Sequence, residues 1–279
     1  MKNKILILGI IIFLALIYSV VLSGYHYQLD NDEVFHVNVL YQMANGARPY
    51  TSFFTIYTPI FHWFLLPVYY FFGPTFRTFH VLRGLMIGLF LLRIILTTLL
   101  VRAIFTPLAA YFFVVLMLLD PFTVFSAMQI RPDNLMLCIL AAGYLAFSWA
   151  LQSKNTKFFF TSGVLLGMAV ITIIKSVPLV MVTGGIFGIW AIVKKQKRQL
   201  IAFLCGIFLP VAVFLLIFTA MGELSQMIRG VIFDPLILFQ SLLYKTDFRF
   251  FYQPNNIFFY GVPGKPISWY FAILLPFMA

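Results

Sequence analysis

Asp30, Asp32 and Glu33 crowd together in the run Gln28-Leu29-Asp30-Asn31-Asp32-Glu33-Val34-Phe35-His36, directly after the first long apolar stretch. Carboxylates at the edge of lipid are costly unless they are paired or used. Three chemistries are open to them. One acid can take a proton from an attacking hydroxyl. Two acids two residues apart, Asp30 and Asp32, have a spacing able to hold a divalent metal. The set can also serve a helix start, Asp30 with Glu33 three residues on reading as a capping box at a positive helix end. One cap needs one side chain, so Asp32 is the acid left over for chemistry. His36 lies four residues after Asp32 on the same helical face, placed to order that carboxylate.

The chain that must position these groups is 62% hydrophobic and 10% charged, with mean hydropathy +1.00. Soluble domains carry about 25% charged residues, so this is an all-α polytopic membrane protein, read as one domain over 1–279. The net charge of +11 is scattered between apolar runs, not gathered on one face, which argues against nucleic acid and for lipid headgroups as the partner. Cys138 and Cys205 sit inside apolar runs and suggest no disulfide framework.

Apolar runs occupy 5–23, 53–73, 79–101, 105–125, 134–151, 158–176, 177–193, 200–220 and 267–279. The first exceeds a signal-peptide core and predicts an uncleaved anchor. Basic loops at 152–157 and 194–198 belong on the cytoplasmic side. They reach the side of Lys2 and Lys4 only if 53–73 does not cross. Its Tyr57, His62, Trp63, Tyr69 and Tyr70, broken by Pro59 and Pro67, suit a helix lying on the outer surface. Seven complete transmembrane helices plus the start of an eighth are therefore expected, in a chain truncated at its C-terminal end. The outer segments are 24–78 and 221–266. All eight acids and all four histidines then fall at or beyond the outer boundary. Arg93 falls mid-span and is expected to snorkel inward.

Several short patterns follow one another in order. They are Asp32-Glu33, Gly46-x-x-Pro49-Tyr50-x-x-Phe53-Phe54, Thr58-Pro59-Ile60-Phe61, Phe72-Gly73, Leu82-Arg83 and Arg131-Pro132-Asp133. In this the chain resembles the integral-membrane GT-C glycosyltransferases, most nearly the protein O-mannosyltransferases and the lipid A aminoarabinose transferases. The resemblance is carried by about residues 25–150. It implies a GT-C-like helical bundle that moves a hexose or pentose from a polyprenyl-phosphate donor to a lipid, protein or glycan hydroxyl on the outer face of the membrane. The compact chain points to a bacterial inner membrane, and an endoplasmic reticulum lumen would satisfy the same topology. It also implies Asp32 as the base, Asp133 as a second acid near the reaction centre, and Arg83 at the outer end of a span; Glu33, next to Asp32, joins the candidate catalytic acids.

The chemistry of that reaction supplies the rest of the expected set. A phosphate leaving group needs cations more than an acid, and an arginine fork suits phosphate oxygens. Arg83, Arg131, Lys245 and Arg249 are the expected lipid-phosphate ligands, with His36 and Tyr57 beside them. Ile56-Tyr57-Thr58 departs from the family pattern before Pro59, which leaves a divalent metal as an open expectation. The alternative class is a transporter or lipid flippase, for which inverted repeats and midplane polar groups would be expected.

Overall fold

The computed structural model describes residues 29–237 and scattered positions between 11 and 21. Among the described residues there is no strand, only a bridge between Pro49 and Phe53. The helices are α1 Asn31–Ala44, α2 Ile60–Phe72, α3 Phe76–Ile104, α4 Pro107–Leu119, α5 Pro121–Met128, α6 Pro132–Ser153 and α7 Thr156–Thr172. A short 3-10 turn, Ile174–Ser176, leads into α8 Val177–Val193, α9 Lys197–Ala220 and α10 Leu224–Ile228, then a π turn at Arg229–Phe233.

Local signals place the ends. Pro107 and Pro132 take first helical positions, where a missing N–H costs nothing. The Thr106 and Asn155 side chains accept from Ala109 N and Lys157 N, closing the starts of α4 and α7. Gly46, at φ +82, lets the chain turn out of α1.

Among the described residues, four helices are long and apolar enough to cross a membrane: Phe76–Ile104, Pro132–Ser153, Ile174–Val193 and Lys197–Ala220. The protein is an integral membrane protein. The expected span at 105–125 is broken instead, because Asp120 leaves the helix and Pro121 starts α5. The Asp120 carboxylate caps that restart by accepting from Thr123 N at 3.0 Å. Met117 meets Thr97 of α3, so this break lies partway along the bundle, and Asp120 is not at its outer boundary. The expected span at 158–176 is the 17-residue α7 plus the turn after it. The eighth span at 267–279 and most of 5–23 lie outside the described residues.

Helix α2 does not run from one end of the bundle to the other. Thr58, just before it, donates to Thr172 O at 2.6 Å at the end of α7, and Thr78, just after it, donates to Gly73 O at 2.5 Å at the start of α3. It is 13 residues long, about 20 Å at 1.5 Å per residue.

Close backbone packing holds the middle of the bundle. A Cβ on Gly163 of α7 would lie 2.2 Å from Phe203 O, and one on Gly206 of α9 would lie 2.4 Å from Phe160 O. Small residues let two backbones approach where water supplies no hydrophobic drive. Phe159, Leu166, Phe187 and Phe203 fill the space beside that seam. Arg93 does not snorkel. It is 7% exposed, lies over the Phe90 ring at 5.0 Å, and its Nε has no hydrogen-bond partner among the described residues.

Candidate active site

The ends of α1, α6 and α7 meet opposite the basic loops at 152–157 and 194–198. Asp30 is the N-cap of α1 and forms the expected capping box, its own N–H donating to Glu33 Oε2 at 3.1 Å. Its carboxylate is held by Gln129 Nε2 at 2.8 Å. Gln129 is buried, and its carbonyl accepts from Asn134 Nδ2 at 2.8 Å. The Gln129 Oε1 accepts from Arg131 Nη1 at 3.2 Å. One amide thus sets both the first acid and the arginine.

Glu33 and Asp32 are neighbours with opposite surroundings. Glu33 is fully buried and paired with Arg83, whose Nε donates to Oε1 at 2.8 Å and whose Nη2 donates to Oε2. Ile130 N also donates to Oε1 at 3.2 Å. Arg83 is itself 5% exposed. A carboxylate with this many donors has no lone pair to offer a substrate, so Glu33 and Arg83 tie α1 to α3. Arg83, expected as a lipid-phosphate ligand, is here paired with Glu33 inside the bundle.

Asp32, one residue earlier, has a side chain 45% exposed and meets Arg131 Nη2 at 2.9 Å. Arg131 also faces Asp133, Nε to Oδ2 at 3.9 Å, and Asp133 faces Lys175 Nζ at 3.4 Å. The result is an alternating string, Asp32–Arg131–Asp133–Lys175, drawn from three separate segments. Lys175 is 60% exposed on the turn between α7 and α8. The sequence reading missed it, although a cation between two apolar runs on the side away from the basic loops was its signal.

Tyr57 lines the same place. Its ring is 4.9 Å from that of His36, and its phenol is held above the usual range by burial and by the charge of Asp32, with Arg131 opposing. It stays protonated at neutral pH and can donate. Tyr50 fixes the backbone here, donating to Tyr57 O at 2.8 Å.

His36 does not order Asp32. Its Nδ1 bonds His62 Nε2 at 3.1 Å, both rings 1% exposed between α1 and α2. Burial pushes both down, His62 to about 3, with the neighbouring His62 and Arg131 charges adding to the effect on His36. Both rings are neutral, one donating its N–H and the other accepting it. His62, expected as an interfacial residue, is part of the interior.

Asp30 and Asp32 do not converge on a common point, since one binds Gln129 and the other Arg131. Among the described residues there is no group of three or more His, Cys, Asp or Glu able to hold a metal. Lys245 and Arg249 lie outside the described residues.

A family model for the dolichyl-phosphate-mannose-protein mannosyltransferases matches residues 57–224. The chain belongs to that family. It is thereby a member of the GT-C superfamily of membrane glycosyltransferases. A comparison with curated proteins and with solved structures gives no match. The mannosyltransferase match begins at Tyr57, so it contains Arg83, Arg131, Asp133 and Lys175 while Asp32 and Glu33 precede it.

Proposed function

We propose that the chain transfers a sugar from a polyprenyl-phosphate donor to an acceptor hydroxyl, with inversion, on the outer face of a bacterial inner membrane. The observation that supports this most is the string of Asp32, Arg131, Asp133 and Lys175, an accessible carboxylate set beside two accessible cations. Asp32 is the base. It takes the acceptor's proton as the acceptor oxygen attacks the anomeric carbon, and the bond from that carbon to the phosphate oxygen breaks with its electrons leaving on the phosphate. Arg131 and Lys175 steady the charge that grows there, and the Tyr57 phenol donates to the same oxygens. Asp133 spaces the two cations. An arriving phosphate competes for Arg131 and so releases Asp32 from its ion pair when the donor is bound.

Glu33 and Arg83 act in this reading as positioning residues, since their mutual bonds set the pitch of α1 against α3. The orientation follows from the basic loops, whose lysines and arginine favour the cytoplasmic side. The test uses radiolabelled polyprenyl-phosphate mannose and membranes carrying the full chain. Label should move to an acceptor with the wild type. With Asp32→Asn, transfer should fall by about 10²–10⁴, the usual worth of a positioned base. Equal transfer by the two proteins would remove Asp32 from the reaction.

A further inference from the structure

The loop that presents Tyr57 to the acids has a second side. There, a cavity of about 210 Å³ opens between residues 50–55 and 226–234, lined among others by Tyr50, Phe54, Gln226, Arg229 and Asp234. Two irregular pieces of backbone meet at it. Tyr50 holds φ +69, a region that bulky side chains rarely enter. Facing it, Arg229–Phe233 is a π turn, a distortion that commonly marks functional positions. The turn presses Gly230 onto Tyr50, where a Cβ would come within 2.6 Å of the ring.

The lining has one apolar face and several polar points. Phe54 is 60% exposed. Arg229 and Asp234 lie 3.5 Å apart, and the Gln226 amide offers both donor and acceptor. Close by in sequence, Glu223 is 5% exposed. Arg48 takes its Oε1 at 3.2 Å, and its Oε2 has no partner among the described residues. Each cation here has its own carboxylate, so the local charge sums to zero. An anion would meet Asp234; a cation would meet Arg229. A neutral ligand with an apolar face and a rim of hydroxyls meets neither penalty. The volume is below the roughly 300–1,000 Å³ of drug-sized sites, which limits the occupant to about one ring.

We propose that this cavity holds one neutral sugar ring of the acceptor, which is therefore a glycan. The inference rests on the transferase reading and names its acceptor class. The cavity adjoins the reaction centre through one bond, Tyr50 Oη to Tyr57 O. Every lining residue falls outside the family match at 57–224, so the specificity belongs to this chain and not to the family segment.

The test measures binding and turnover separately, on the full chain in lipid nanodiscs. Saturation-transfer NMR with methyl α-mannopyranoside and methyl β-galactopyranoside as probes should show ring-proton signals for at least one. Phe54→Ala and Gln226→Ala should each weaken that binding at least tenfold, while Phe54→Trp, which keeps a stacking face, should retain it. No signal from either glycoside, or signals unchanged in both alanine variants, would overturn the inference. So would competition by a Ser/Thr peptide or by anionic lipid that the alanine variants abolish. Glycoside binding without consumption of polyprenyl-phosphate sugar leaves the cavity assigned and removes the transferase reading. Donor consumption without glycoside binding does the reverse.

Discussion

Replacing Glu33 by Gln should cost about 3–5 kcal/mol of stability while changing almost no volume. The magnitude follows from the geometry. Arg83 is 5% exposed and its guanidinium spends two donors on Glu33. Removing one partner of a buried pair leaves the other charge uncompensated, at about 3–5 kcal/mol. The amide also turns one acceptor into a donor, which then faces Asp30 N or Ile130 N. On the scale of a 150–250-residue domain, 2–4 °C per kcal/mol, the melting point should fall by roughly 6–20 °C. The double variant Glu33→Leu with Arg83→Met removes both charges together. It should lose clearly less than the sum of the two single variants, with a coupling of about 0.5–3 kcal/mol. Asp32→Asn is the control: its pair with Arg131 is well solvated, and exposed pairs contribute about 0–1 kcal/mol. Thermal unfolding of the detergent-purified proteins, followed by tryptophan fluorescence, reads all of them, the single variants Glu33→Leu and Arg83→Met included. A Glu33→Gln protein that melts with the wild type, or an Asp32→Asn protein that melts as low as Glu33→Gln, would refute the division between a structural and an accessible acid.

Three further outcomes follow from the same geometry. Lys175→Met should raise the donor KM about tenfold, the worth of one partly exposed charged contact of about 1.5 kcal/mol; an unchanged KM in the transfer assay would detach Lys175 from the phosphate. The buried His36–His62 pair should make stability depend on pH. Both rings have folded values pushed below the ordinary 6.5, so their contribution is complete above pH 6.5 and is lost as pH falls below it. The loss approaches about 1.4 kcal/mol per histidine per pH unit, and the pH dependence of melting between pH 7.5 and 5 should flatten in His36→Leu/His62→Leu. Gly163→Ala should destabilise the α7–α9 seam by about 1–3 kcal/mol, because its Cβ would lie 2.2 Å from the Phe203 carbonyl oxygen, a backbone atom that cannot swing aside; unchanged melting would refute close backbone packing at this seam.

Hydrophobic runs and loop charge carried the helical architecture, since both are local properties of sequence. The break in the 105–125 run was written locally too, in Asp120-Pro121, but the apolar residues on either side concealed it. Long-range partners had no such signal. Glu33 meets Arg83 across 50 residues and Ile130 N across 97, and Lys175 reaches Asp133 across 42. Nothing in the spacing of these residues ranks one pairing above another. The burial of His62 depends in the same way on which face of α2 packs against α1, a face that two prolines and a nearly uniform apolar composition leave unmarked.

The division of labour between Asp32 and Glu33 is the sharpest case. Their side-chain types are almost alike, and both belong to the first turn of α1. Consecutive helical residues are turned by about 100° from each other at 3.6 residues per turn. That rotation points Glu33 into the wall made by Arg83 and Ile130, and Asp32 along the rim toward Arg131. Arg131 can hold Asp32 only because Gln129 orients it, and Gln129 is fixed by Asp30 and Asn134. The base proposed for the reaction is therefore aimed by three polar side chains that never touch a substrate. Gln129→Leu is expected to lower transfer without touching the acid itself, because it frees Asp30 and lets Arg131 swing. If that variant transferred sugar at the wild-type rate, the aim of Asp32 would have to come from α1 alone.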